Sequence, residues 1–213
     1  EGISFVLIDM DQAGVTVKPI KLISGASPFC ETFFDDAVVQ KDDLVGKLNR
    51  GWTVGKRLLQ HERSSISGLN SGGRRGRYDG MRQLSEIAKD YIGTDAGGLV
   101  DLELRDKVVL HALNSRAFNL TQKRAMAENE SGGTPTFATS MFKYYGSELG
   151  KSRLEIQLKI MGTQSLGWEG EMFTAEERNL TRTWLRSKAN SIAGGTSEVQ
   201  LNIVAKRVLG LPD

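Results

Sequence analysis

Apolar positions in the first 45 residues follow a period of two. Ile3, Phe5 and Leu7 share one parity, as one face of a half-buried strand requires. Asp11-Gln12-Ala13-Gly14 reads as a turn, and Val15-Thr16-Val17-Lys18-Pro19-Ile20 is extended and β-branched. A further strand, Glu31-Thr32-Phe33-Phe34, stops at the turn-like pair Asp35-Asp36. So few strands do not close a sheet, and a short isolated set is marginal. Their partners are expected from sequence preceding residue 1.

From Gly46 the period lengthens to about 3.6. Residues 52–66 carry Val54, Leu58 and Leu59 among charges and predict a helix. A Gly-, Ser- and Arg-rich stretch over 68–80 interrupts it. Helical sequence resumes near Met81 and stops near Gly93, and Gly97-Gly98 marks a loop. Asp101 is a candidate N-cap for a helix running to about Glu130, with Leu102, Val109, Leu113, Ala117 and Leu120 as its expected inward stripe. Ser131-Gly132-Gly133 breaks that helix, and Thr134-Pro135 offers a cap followed by proline at the first helical position. Phe137, Met141 and Tyr144 then share a face of a helix ending at Gly162, weakened midway by Gly146 and Gly150. A shorter helix is expected around 181–189. A last one starts near Thr196, with Val199 and Ile203 inward, and is stopped by Gly210 and Pro212. The expected fold is mainly α: an up-and-down four-helix-type bundle over 46–213, preceded by a partial antiparallel β-domain over 1–45.

Composition narrows the function classes. The chain has 213 residues, 39% hydrophobic and 25% charged, with a formal net charge of +2. So small an excess makes no case for nucleic acid or an anionic membrane surface. One cysteine, Cys30, forms no internal disulfide and fits a reducing, cytoplasmic setting. Two histidines, His61 and His111, are too few for a zinc site with Cys30 unless carboxylates join. No apolar run approaches the ~20 residues of a membrane span, and no signal peptide is visible. Residue 1 is Glu and the chain opens directly into strand-like sequence, which predicts a fragment or a processed chain.

Three places could carry chemistry. Gln60-His61-Glu62-Arg63-Ser64-Ser65 sets a carboxylate beside a guanidinium on a helix; an exposed ion pair is the plainer account. Gly194-Gly195-Thr196-Ser197-Glu198 is a glycine-rich turn opening a helix, suited to an anion or a polarised carbonyl, or simply a capped helix start. The segment from Gly162 to Gly170 holds Trp168, either in a site or as an anchor for a connection.

Nearly the whole chain resembles the second half of acyl-CoA dehydrogenases. Gly2-Ile3-Ser4-Phe5-Val6-Leu7-Ile8-Asp9-Met10, Phe33-Phe34-Asp35-Asp36, and Leu44-Val45-Gly46 trailed by Gly51-Trp52 are similar to that family's central β-domain. Ile192-Ala193-Gly194-Gly195-Thr196-Ser197-Glu198-Val199-Gln200 and Val208-Leu209-Gly210-Leu211-Pro212 resemble its C-terminal signature. The resemblance implies an FAD enzyme. A carboxylate removes the α-proton of an acyl-CoA thioester, the β-hydrogen leaves as hydride to the flavin, and trans-2-enoyl-CoA forms. An electron-transferring flavoprotein or similar acceptor then takes the electrons. It also implies a homodimer or homotetramer.

In many members the base is a Glu directly before the Gly-Thr of the last signature; here that position is Gly194. Others carry it on an earlier helix just before an arginine, which Glu62-Arg63 matches. Glu62 is therefore the expected base and Arg63 its orienting or substrate-side partner. Gly194's turn is expected to present a backbone N–H to the thioester carbonyl, and Gly195, Thr196 and Glu198 to lie against the flavin. The family's Gln-x-x-Gly-Gly is replaced by Lys159-Ile160-Met161-Gly162-Thr163. A non-catalytic partner subunit or oligomerisation module, and an oxygen-using flavoenzyme of the same fold, are the alternative readings.

Overall fold

The computed structural model describes residues 2–66, 82–130 and 138–212. The chain parts into two compact units, Glu1–Ser64 and Ser65–Asp213. Six α-helices and two small antiparallel hairpins are present among the described residues, so the fold is mainly α, a helical bundle preceded by partial β structure.

In the first unit, β1 (Val15–Ile20) pairs with β2 (Phe29–Phe34) in the register Val15 opposite Phe34 through Ile20 opposite Phe29. The turn at 11–14 and the bend at Asp35-Asp36 fall where expected, with Asp36 at φ +53°. The strand expected through Ile3, Phe5 and Leu7 does not form. It is reduced to one bridge, Val6 with Leu44, flanked by Leu7 N–H to Asp43 O and Val45 N–H to Phe5 O, each 2.9 Å. Alternation promises a ladder only where a neighbouring chain is there to pair; Ile3 and Leu7 accordingly stay exposed. Helix α1 (Gly51–Ile66) begins where Gly51 N–H donates to Ile3 O at 2.8 Å. A Cβ at 51 would lie 2.4 Å from Ser4 C, so only glycine lets the helix start against that segment. Leu58 and Leu59 are exposed on α1.

The second unit is organised around α4 (Ala138–Met161), which packs against α2 (Leu84–Ile92), α3 (Leu102–Glu130), α5 (Ala175–Ser187) and α6 (Ser197–Ile203). Between α2 and α3 lies the small hairpin of β3 (Thr94–Asp95) and β4 (Gly98–Leu99). Leu84, Ile87 and Ala88 of α2, Val108 of α3, Leu154, Ile156, Ile160 and Met161 of α4 and Leu180 of α5 form the core. Local chemistry sets the ends. Gln83 N–H donates to Glu86 Oε2 at the start of α2, and Leu104 N–H donates to Asp101 Oδ1 at the start of α3. Gly162, at φ +55°, ends α4. The proposed cap at Thr134-Pro135, with Phe137, and the interruption over 68–80 lie outside the described residues.

The structure corrects two helix expectations. The stripe Leu102, Val109, Leu113, Ala117 and Leu120 of α3 is exposed in this chain. The side meeting α4 is Val108, half-buried His111 and Ser115, and Phe118, whose ring packs edge-on to Phe142 at 5.8 Å. Periodicity finds an apolar face but not which neighbour claims it. α4 runs unbroken through Gly146, where a Cβ would meet Phe118 at 3.0 Å. α5 starts at Ala175, earlier than expected, because Thr174 and Glu177 form a capping box, with Glu177 N–H to Thr174 Oγ1 at 3.2 Å and Thr174 N–H to Glu177 Oε2 at 2.6 Å.

Glu177 also ties α5 to α2, accepting from the Tyr91 hydroxyl at 2.9 Å. Burial, and then this bond, push the Tyr91 phenol from 10.0 up to about 12. A group raised in this way contributes stability that is complete below its unfolded pKa and lost as pH rises through the folded one. The thermal midpoint should therefore fall more steeply between pH 10 and 12 for the wild type than for Tyr91→Phe. Melts across that range would show parallel curves if the bond contributed nothing.

Candidate functional site

The clearest built feature among the expected site residues is the turn entering α6. Gly194 and Gly195 take φ +68° and +91°, conformations open to glycine. A Cβ at 195 would also sit 2.5 Å from Gln200 Nε2. Thr196 caps α6, its Oγ1 accepting from Val199 N–H at 3.3 Å. Glu198 is exposed in the first turn. Its carboxyl is held below the usual range by its own backbone N–H, then by the Thr196 hydroxyl.

The turn is held from two sides. From α4, Lys143 Nζ donates to Gly195 O at 2.5 Å. From α6, Gln200 Nε2 donates to Gly194 O at 3.1 Å. Both side chains are buried, at 8% and 5% exposure. One turn along α4, Ser147 Oγ donates to Asn190 O at 3.0 Å, and Glu148 accepts from Ser191 Oγ at 3.4 Å. Sequence reasoning missed Lys143 and Gln200. Gln200 had a signal, since it lies on the same face of α6 as Thr196; Lys143 had none. Val199, expected inward, is exposed, and Gln200 takes the buried place.

Glu62 lies on α1 with its side chain exposed. It belongs to the first unit and the turn to the second. The Arg63 side chain lies outside the described residues. The 162–170 segment is anchored: Arg182 stacks on the Trp168 ring at 4.2 Å and donates to Trp168 O at 3.0 Å, and Arg178 donates to Gly170 O and Phe173 O. The open cleft beside it, about 360 Å³, is lined by Trp168 and Gly170 of this segment with Arg178 and Arg182, and not by Glu62, Gly194, Gly195, Thr196 or Glu198. No group of His, Cys, Asp and Glu suited to a metal occurs among the described residues. No helix there is long and apolar enough to cross a membrane.

A two-glycine turn opening a helix, held by side chains from two helices of a bundle, is the geometry to set beside known proteins. The family model described as acyl-CoA dehydrogenase, C-terminal domain, matches residues 49–209. The chain belongs to the acyl-CoA dehydrogenase family. Acyl-CoA dehydrogenase IpdE1 of Mycolicibacterium smegmatis is 32% identical over 216 residues, covering 99% of this chain and 50% of that protein. Acyl-CoA dehydrogenase FadE34 of Mycobacterium tuberculosis is 26% identical over 212 residues, covering 100% of this chain and 27% of that one. The chain thus spans half the length of IpdE1, or less in the longer relative. Among solved structures, the Tcur3481-Tcur3483 steroid ACAD has a TM-score of 0.78 at 23% identity, over 98% of this chain and 52% of that one. The ChsE4-ChsE5 complex from Mycobacterium tuberculosis has 0.74 at 21%, over 100% and 53%. At these identities the structures confirm the fold.

Proposed function

We propose that this chain is the second half of an FAD-dependent acyl-CoA dehydrogenase that converts an acyl-CoA thioester to the trans-2-enoyl-CoA, with Glu62 as the base. The observation that carries the reading is the held Gly194-Gly195 turn within a family match that runs from 49 to 209. With glycine at 194, the turn supplies main-chain donors and no carboxylate. The base must then come from elsewhere, and Glu62 beside Arg63 answers that need.

The α-proton of a thioester is weakly acidic, so charge developing on the carbonyl oxygen must be met by fixed donors. A backbone N–H at the Gly194 turn supplies one. Glu62 accepts the proton, and a carboxylate does so near working pH only when water is excluded around it. Substrate and neighbouring chain must therefore close over Glu62, with Arg63 orienting the carboxylate or the substrate.

The donor set at the turn fits parts of FAD. Bare backbone at Gly195 and the Thr196 hydroxyl suit its hydroxylated chain and phosphate region. Glu198, an ionised acceptor, suits a hydroxyl and repels a phosphate. When bound, FAD supplies the hydride acceptor. An electron-transferring flavoprotein or a similar carrier is the proposed oxidant of the reduced enzyme, and a homodimer or homotetramer the proposed assembly.

The test is the visible spectrum of the full-length protein during anaerobic titration with fatty, branched and steroid-side-chain acyl-CoAs. A flavin absorbance that one class bleaches is the expected result. A protein that binds no flavin would instead point to a partner or oligomerisation module. Reduction only by other substrates, with oxygen consumed, would point to an oxidase or monooxygenase.

A further inference from the structure

We infer that the cleft beside α5 binds a small phosphate monoester, held by the Arg178 and Arg182 guanidiniums next to Trp168. The cleft lies within the second unit, shares no lining residue with the Gly194-Gly195 turn, and does not depend on the flavin chemistry proposed above. Arg178, Asn179 and Arg182 fall on one face of α5, at i, i+1 and i+4, and line about 360 Å³ of open space together with Trp168 and Glu169. That volume sits at the lower end of the range of small-ligand clefts, roughly 300 to 1,000 Å³. It leaves room for an organic group beyond the phosphate itself.

The two guanidiniums are fixed but not neutralised. Arg178 Nη1 donates to Gly170 O at 2.7 Å and to Phe173 O at 2.8 Å. Arg182 Nη2 donates to Trp168 O at 3.0 Å, and its head group lies over the Trp168 ring at 4.2 Å. Each head group is thus tied to the connection before α5 through one nitrogen. Arg178 Nη2 and Arg182 Nη1 have no hydrogen-bond partner among the described residues. Neither side chain forms an ion pair there. Glu169, the one carboxylate in the lining, is exposed and pairs with neither, so two positive charges stand against one negative. Immobilising an arginine costs rotamer entropy. Here that entropy is lost before any ligand arrives, which favours capture. A guanidinium fork matches pairs of phosphate oxygens, and a phosphate monoester carries close to two negative charges at neutral pH. A carboxylate would neutralise only one of the two arginines. Half-buried Trp168 adds aromatic surface beside the charges for the organic part of the ester. The segment around Trp168, which the thioester chemistry leaves without a role, gains one here.

The test is fluorine NMR of the full-length protein labelled with 5-fluorotryptophan, in which the signal missing from Trp168→Phe belongs to Trp168. The probes are adenosine 5′-monophosphate, adenosine, coenzyme A and dephospho-coenzyme A, each added at constant ionic strength. The expected result is a saturable shift of the Trp168 signal with a probe that carries a phosphate monoester and none with adenosine. A response to the monophosphate supports a free nucleotide as the source of that group. A response to coenzyme A that dephospho-coenzyme A fails to reproduce supports the coenzyme's own 3′-phosphate. Arg178→Gln removes one charge, and Arg182→Lys keeps the charge but removes the fork. Each should weaken binding by about tenfold or more, as the loss of a charge-assisted hydrogen bond requires. The inference is overturned if adenosine acts as well as its monophosphate, if no probe shifts the signal, or if both arginine variants bind like the wild type. Should Arg178→Gln fail to fold, Arg182→Lys decides by the same reading.

Discussion

Glu62→Gln in the full-length protein should lower flavin reduction by acyl-CoA about 10²- to 10⁴-fold, the range general bases contribute, and should stop exchange of the substrate α-proton with solvent. The substitution keeps shape and removes only basicity. Because Glu62 is exposed on α1, with no hydrogen bond or ion pair to lose among the described residues, folding and the oxidised flavin spectrum should not change. Deuterium uptake at the α-carbon, followed by NMR in heavy water, isolates the proton step from hydride transfer. Normal turnover with a normal spectrum would remove Glu62 from the mechanism and leave the family fold without its base.

The largest expected effect on stability is at Ile87. It is 1% exposed and lies in the shared core of α2, α3, α4 and α5. Truncation to alanine leaves a cavity that these helices cannot all move to fill. Ile87→Ala should cost about 2–5 kcal/mol and lower the thermal midpoint by roughly 4 to 20 °C. Leu113→Ala is the control. Leu113 is equally apolar and belongs to the expected inward stripe, yet it is 63% exposed. Its truncation in this chain should change stability by no more than about 0.5 kcal/mol. Similar losses at both positions would mean that α3 packs by the stripe after all. Calorimetry of the two variants separates the cases.

The features legible before folding are local or repetitive. The turn at 11–14, the Asp101 cap, the stop at Gly93 and the glycine turn at 194–195 each depend on residues within a few positions of one another. The helical period over 102–130 and 138–161 needs only the chain itself. The capping box Thr174-Ala175-Glu176-Glu177 is equally local, and the apolar pattern of 181–189 hides it, which is why α5 is expected too late. The candidate turn is legible by its glycines, and the family by the order of its motifs.

Choices among equivalent neighbours are not legible. Whether Leu113 or Phe118 faces α4 depends on Gly146 leaving room on the facing helix, which no spacing within α3 records. Whether Ile3, Phe5 and Leu7 form a strand depends on a partner, and the described residues offer a single bridge. Lys143 and Gly195 are 52 positions apart, and an isolated lysine on a helix reads as surface until the fold buries it. By itself the sequence determined most of the helices, several of their caps and stops, and the family, because backbone geometry and capping are short-range. Only the tertiary structure decided which faces meet and which buried donors hold the Gly194-Gly195 turn, because burial and hydrogen-bond partnership belong to pairs of elements rather than to either one.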